Sequence, residues 1–451
     1  MKQIYRSALV LIVAALTATA MQAQTTKWRD MHKVKKKETI FGIAKEYGIT
    51  VDELKKANPE MNNPNYVLKK GDFIFIPYAQ PVQETAPAVK PVKEIVLDDV
   101  RYRSVRLGVM LPLHDMNGDG RRMVEYYRGV LMACDSLKRE GISVDVHAWN
   151  TVEGGDLNAV LTDPAAQKCD LIIGPLYSAQ LLELSRFVEK YNIKLVIPFS
   201  INAPQLQTNR NIYQIYQSPT AQNDAAVAQF VERFKNYHPV VIDCNDSTSR
   251  KGLFTTALRR QLEAKNIDYS ISNLKSSDGM FKKAFSADKP NVVVLNTGRA
   301  QELGMAFAKL NSLRATSPEF AISMFGYTEW LGYTKLHLEN FYRFNTYIPS
   351  AFYMNPLASA TARFQNKYRQ NFQQEMINML PRLAITGFDH AYYFCKGLHK
   401  QGKEFVGTLS VLDVNPLQTP LRFERQGEGG MQNRMQMLVH YMPEHRVEIL
   451  K

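Results

Sequence analysis

The sequence predicts two unlike folded parts in series: a small β-α-α-β module, then an α/β domain built from two consecutive doubly wound parallel sheets. Three observations predict it. Residues 28–78 read strand, helix, helix, strand, with turn-forming residues at the junctions. A stretch carrying Pro81, Pro87 and Pro91 then breaks all apolar periodicity. From about residue 103, apolar runs of strand length alternate with amphipathic stretches, the rhythm of buried parallel strands joined by helical crossovers.

Composition fits this division. The chain has 451 residues, 45% hydrophobic and 22% charged, room for two or three globular domains. Its start stands apart. Lys2 and Arg6 precede the apolar run ALVLIVAALTATA (8–20), and small residues follow, the order of a secretory signal. The run falls short of the ~20 apolar residues a membrane span needs. Residues 1–23 are expected to be removed, with cleavage after Ala23 or Ala20. No cysteine precedes Cys134, which argues against a lipid anchor and for a periplasmic destination. Losing Lys2 and Arg6 lowers the formal charge from +13 to about +11. A basic exported protein points to anionic envelope polymers, and away from nucleic acid. Cys134, Cys169, Cys244 and Cys395 are too widely spaced for a zinc ribbon or a CxxC redox pair. Whether Cys134 and Cys169 form a disulfide stays open at this level.

The small module is expected over 28–78. HKVKK (32–36) alternates like a strand, and ETIFGIAKEYG (38–48) places Ile40, Ile43, Ala44 and Tyr47 on one helical face, with Gly48 as the stop. Thr50 and Glu53 form a capping-box pair before VDELKKAN (51–58), Asn58-Pro59 ends that helix, and DFIFIP (72–77) is the second strand. The proline-rich segment, 79–102, reads as an extended linker. At about 3.1 Å per residue a dozen such residues reach roughly 35 to 40 Å, so the larger domain is expected to float on a tether.

The larger domain, 103–451, is expected to divide into a first lobe of about 103–218 with 349–405 and a second of about 219–348 with 406–451. In the first lobe VRLGVMLPL (105–113), SVDVHAWN (143–150), DLIIGPL (170–176) and KLVIPFS (194–200) read as strands. VEYYRGVLMACDSLKREG (124–141) and SAQLLELSRFVEKYN (178–192) read as helices. The rhythm resumes with PVVIDC (239–244), DYSIS (268–272), NVVVLNTG (291–298) and FAISMFG (320–326), with a late helix at 386–402.

The small module resembles a LysM domain over its whole length. Val34, Glu38-Thr39-Ile40, Ile43-Ala44, Tyr47-Gly48, Leu54, Asn58-Pro59, Leu68, Gly71 and Ile76-Pro77 carry the resemblance, in order and at the expected spacing, with Lys37 where such domains usually have glycine. The resemblance implies binding of peptidoglycan glycans containing N-acetylglucosamine, in a groove of Glu38, Thr39, Ile40 and Phe41 facing Asn58, Pro59, Glu60 and Met61. An apolar wall beside polar groups suits an acetamido sugar.

The larger domain resembles a type I periplasmic binding protein of the leucine/isoleucine/valine-binding kind, over about 105–445. The carrying segments are LGVMLPL, Tyr127-Arg128-Gly129, DLIIGPLYS, LVIPFS, IYQIYQSPTAQNDAAVAQF and GFDHAYYF. The resemblance implies that Tyr177-Ser178-Ala179 and Phe199-Ser200-Ile201-Asn202 hold the carboxylate and amine of a small ligand, such as an amino acid, peptide or muropeptide. Asp243 and Tyr327 are the candidates from the second lobe. Phe199 and Ile201 stand where relatives carry small or polar residues. That favours an alternative, in which the lobes are a protein-interaction surface resembling the outer-membrane activators of peptidoglycan synthases. A cell-wall synthesis protein or a transporter is the partner these two readings imply.

DMNGDGRRMVEYY (115–127) begins like a calcium loop, with Asp115, Asn117, Asp119 and Gly120 correctly spaced. A strand precedes it where a helix is needed, Tyr126 occupies the position of the bidentate glutamate, and Arg121 and Arg122 bring positive charge. No metal and no cofactor are expected. GxSxG, P-loop and HExxH motifs are all missing from the sequence, so the chain is expected not to be an enzyme.

Overall fold

The computed structural model describes residues 29–63, 66–77, 98–407 and 414–450. The expected signal at 1–23 and most of the expected linker at 79–102 lie outside the described residues.

The small module folds as β-α-α-β. Strand β1 (Asp30–Lys33) pairs antiparallel with β2 (Phe73–Ile76), Asp30 opposite Ile76. Helix α1 (Ile40–Glu46) is capped by Thr39, whose hydroxyl accepts the Gly42 N–H. Helix α2 (Val51–Ala57) carries the capping box read from the sequence, with Thr50 and Glu53 each accepting the other's backbone N–H. Val34, Ile43, Ala44, Leu54, Met61, Ile74 and Ile76 make its core.

The remaining chain forms two seven-stranded sheets of mostly parallel strands flanked by helices. The first contains β3 (Val105–Leu111), β4 (Val144–Asn150), β5 (Leu171–Ile173), β6 (Lys194–Ile197) and β7 (Ile212–Gln214), all parallel. Residue alternation along these strands feeds two cores on opposite faces. Val105, Leu107, Val109 and Leu111 of β3 meet helices α3 (Gly118–Arg139) and α13 (Leu383–Gln401) on one face. Met110, Ile172, Leu195 and Ile197 meet α6 (Leu181–Tyr191) on the other; two one-turn helices, α4 (Asn158–Leu161) and α5 (Pro164–Gln167), precede it. Helices α3 and α13 approach closely because Gly129 and Gly387 carry no Cβ: one at Gly129 would lie 1.8 Å from the Ala384 carbonyl oxygen.

The second sheet contains β8 (His238–Asp243), β9 (Ser270–Asn273), β10 (Asn291–Leu295), β11 (Ile322–Phe325) and β12 (Thr346–Ser350) in parallel, extended by antiparallel β15 (Met437–Met442) and β16 (Arg446–Leu450). Its core is rich in aromatic residues, among them Phe230, Phe234, Phe325, Trp330 and Phe341.

The chain divides into two compact units. One holds the small module and the first lobe, up to Tyr216, with Pro356–Leu417 and Leu421–Asn433; the other holds Gln217–Asn355, Gln418–Pro420 and the rest from Arg434. The expected assignment of everything from 406 onward to the second lobe is therefore corrected. Strands β13 (Phe423–Arg425) and β14 (Met431–Asn433) join the first sheet beside β7, because Phe423 and Met431 bury in its core. The cysteines are all free and buried. Cys134 sits in the core on one face of the first sheet and Cys169 in the core on the other, which rules out a bond between them. Burial pushes both thiols well above the ordinary range.

Candidate functional site

In the small module the candidate groove divides into an open side and a structural side. On the open side Thr39 is exposed and the Phe41 ring is 68% exposed on the first turn of α1. Glu38 is fixed in place: its carboxylate accepts the Lys35 N–H at 2.6 Å and a hydrogen bond from His32 Nε2 at 2.8 Å. Burial works to raise this carboxyl, but the Lys35 amide and His32 outweigh it and hold it below its ordinary value. His32 Nδ1 is 3.0 Å from the Tyr47 hydroxyl and accepts from it in that tautomer. Ile40 is half-buried against the core. Lys37 adopts a φ of 71°, the left-handed backbone that a glycine takes at least cost.

The facing side is largely framework. Pro59 and Glu60 are exposed. Asn58 is fully buried: its amide donates to the Leu54 and Phe75 carbonyls at 2.8 and 2.7 Å and accepts the Phe75 N–H at 2.8 Å. Met61 is buried in the module's core. The expected sugar contacts from Asn58 and Met61 are thus corrected, since both side chains are spent on holding β2 and the core.

In the first lobe the loops after β5 and β6 meet. Ser178 and Ser200 hydroxyls are 2.7 Å apart, and Ser200 also accepts the Asn202 N–H at 3.2 Å. The Tyr177 hydroxyl donates to Asp119 at 3.3 Å; burial first, and then the Asp119 charge, raises its pKa. Ala179 and Asn202 are exposed. Phe199 turns inward, edge-on to Tyr126 at 5.3 Å and tilted against Tyr216 at 6.0 Å. Behind it Tyr126 is 2.9 Å from His390 Nδ1, and burial drives the His390 pKa down to about 3. This aromatic cluster was missed in the sequence, where Tyr126 and His390 lie far apart and Tyr126 is weighed only as a position of the calcium-like loop.

The calcium-like loop is tied by contacts among its own residues. Asn117 caps α3 by accepting the Gly120 N–H, Asp119 pairs with Arg122, and Asp115 lies 3.7 Å from Arg121. Among the described residues no cluster of three or more His, Cys, Asp or Glu is arranged to hold a metal.

The two second-lobe candidates serve their own lobe. Tyr327 is buried in the core and its hydroxyl donates to the Leu295 carbonyl at 2.5 Å, so the expected ligand-facing hydroxyl is corrected to a core anchor. The Asp243 carboxylate accepts the Asn245 N–H and the Asn296 amide at 2.9 and 2.8 Å, tying together the turns after β8 and β10. A cluster not singled out in the sequence stands nearby. Asp246 accepts from the Thr248 and Thr297 hydroxyls, both at 2.7 Å, and those bonds lower its pKa to about 2. The signal for it was the polar run Asn245-Asp246-Ser247-Thr248 directly after a strand end. Surface cavities of about 200 Å³ beside Lys309 and about 420 Å³ beside Arg101 include none of the candidate ligand residues.

Residues 32–77 match the family model of the LysM domain. The small module is a LysM domain. The two sheets with their flanking helices have the two-lobed type I periplasmic binding fold. A putative branched-chain amino acid ABC transporter protein from Rhodospirillum rubrum matches 77% of this chain and 100% of its own, at 13% identity and a TM-score of 0.52. An ABC transporter substrate-binding protein from Desulfitobacterium hafniense in complex with Leu has the same coverage, at 16% identity and a TM-score of 0.40. Full-length LpoA from Haemophilus influenzae matches 77% of this chain and 59% of its own, at 12% identity and a TM-score of 0.46. At such identities the likeness is one of fold. No curated protein matches the sequence. Among the described residues no helix is long and apolar enough to cross a membrane.

Proposed function

We propose that this is a non-catalytic, exported, cell-wall-associated binding protein. Its LysM domain holds it on peptidoglycan through N-acetylglucosamine glycans, and its two-lobed domain takes a small ligand: an amino acid, peptide or muropeptide. The observation that carries the first half is the open Glu38–Phe41 loop of a LysM domain. There an exposed ring beside a capped helix start offers an apolar wall and backbone N–H groups to an acetamido sugar. Support for the second half comes from the Ser178 and Ser200 hydroxyls converging at the carboxyl ends of β5 and β6, where ligands of open α/β sheets bind.

Phe199 favours a second reading. Its ring packs on Tyr126 and Tyr216 close to Ser200, at a place where a ligand would need room. In this reading the lobes form a surface for a cell-wall synthesis protein. Thermal unfolding of the whole chain with leucine, short peptides and muropeptides separates the two. A ligand at ~100 times its dissociation constant adds about 2.7 kcal/mol of stability. A shift of that size with one class supports the receptor reading. No shift across the panel, with the chain folded, rejects it in favour of the surface reading.

A further inference from the structure

We infer that the LysM domain is latched onto the first lobe through Asp30 and Arg128, and does not float on its proline-rich tether. Asp30 opens β1 of the LysM domain, and Arg128 lies on α3 of the first lobe, nearly a hundred residues later. Arg128 Nε is 3.6 Å from Asp30 Oδ1, and their side chains are only 13% and 6% exposed. Of the charged groups acting on Arg128, Asp30 acts most strongly; Tyr368 and the Glu125 charge act on it from within the first lobe, and more weakly. Among the described residues the Asp30 carboxylate accepts one hydrogen bond, from the N–H of its neighbour Met31 at 2.7 Å. The Arg128 guanidinium lies over the Phe372 ring at 5.2 Å, at the end of helix α12 (Ser359–Phe372), and its Nε has no hydrogen-bond partner. Burying either charge alone is costly, and each offsets the other's cost. The two parts also belong to one compact unit.

The first lobe is built to hold this arginine. One helical turn before it, Glu125 is buried, accepting the Tyr368 hydroxyl at 2.5 Å and the Ile377 N–H at 3.1 Å. On the LysM side, Tyr47 and His32 back the docked strand, and His32 reaches Glu38 of the open loop. Phe41 and Thr39 stay exposed in the docked state. The consequence rests on the glycan reading given above: the latch presents the glycan loop on a rigid mount, so a bound glycan strand has a fixed orientation relative to the first lobe. The latch itself does not depend on that reading.

The test is backbone nitrogen relaxation of LysM amides in the whole chain, a measure of tumbling and not of glycan binding. Latched, these amides share the slow tumbling of the first lobe. Asp30→Arg or Arg128→Asp alone is expected to shorten their correlation time several-fold, towards that of a small independent domain. The double variant D30R/R128D is expected to restore slow tumbling, which a purely structural defect would not. If Arg128→Asp disrupts the first lobe, Asp30→Asn removes only the LysM charge and reads the same release. Fast, independent tumbling of the LysM amides in the unaltered chain would overturn the inference, as would single variants that tumble as slowly as the unaltered chain.

Discussion

Asn58 separates framework from recognition in the LysM domain, and Asn58→Ala is the sharpest perturbation of it. The substitution removes three hydrogen bonds of 2.7 to 2.8 Å, two of them to Phe75 on β2 and one to the Leu54 carbonyl in the middle of α2. At a net ~1 kcal/mol each, with part-buried backbone groups left unsatisfied, the loss is about 3 kcal/mol. A domain of this size has only a few kcal/mol in total, at roughly 0.05–0.15 kcal/mol per residue. Strand β2 should therefore open far more often. At 1.4 kcal/mol per decade, amide exchange along Phe73–Ile76 should speed up roughly 100-fold. Hydrogen exchange of the whole chain reads this directly, with the amides of the second unit as the internal control. Exchange within threefold of the unaltered chain, together with lost glycan binding, would refute the reasoning: the Asn58 amide would then be meeting the sugar and not β2.

Two further outcomes follow from the first lobe. His390 is neutral when folded, with its pKa depressed to about 3 by burial, whereas an unfolded histidine titrates near ~6.5. The unfolded chain therefore gains a proton first as pH falls, and the stability this residue contributes above ~6.5 is lost at up to ~1.4 kcal/mol per pH unit down to about pH 3. His390→Phe should remove that component, so the stability difference between the two chains should change with pH in denaturant titrations at pH 7 and pH 5; a constant difference would count against a buried neutral histidine. Gly129→Ala should destabilise by ~1–3 kcal/mol, because a Cβ there meets the Ala384 carbonyl and forces α3 from α13. Gly118→Ala on the same helix has open space and should stay within ~0.5 kcal/mol, so equal midpoints for the two variants would contradict the packing described.

Much of the fold was legible because its signals are local. The apolar strand VRLGVML and the Thr50–Glu53 capping box each appear in the structure as read. What was not legible depends on distant pairing. Strands β13 and β14 are three residues each, too short to show a period, and only their partner β7 assigns them to the first sheet. Tyr327 follows a strand end, and nothing local tells whether its ring turns to solvent or to the core. Asn58 shows the limit of a motif: the residue is where a LysM domain should have it, but pattern alone does not separate a contact to sugar from a contact to β2. Ser178 and Ser200 were legible as a pair through the resemblance to amino-acid-binding proteins, which places ligand contacts after these two strands; the aromatic cluster behind them joins residues more than 250 positions apart.

The central claim is that the open loop of the LysM domain holds the protein on peptidoglycan. Co-sedimentation of the whole chain with insoluble peptidoglycan tests it most directly, comparing the unaltered chain with Phe41→Asp. Phe41 is 68% exposed, so this change should leave the fold intact. The account predicts that the unaltered chain pellets with the polymer and that Phe41→Asp stays largely in solution. An unaltered chain that remains in the supernatant, or a Phe41→Asp variant that pellets equally well, would contradict it.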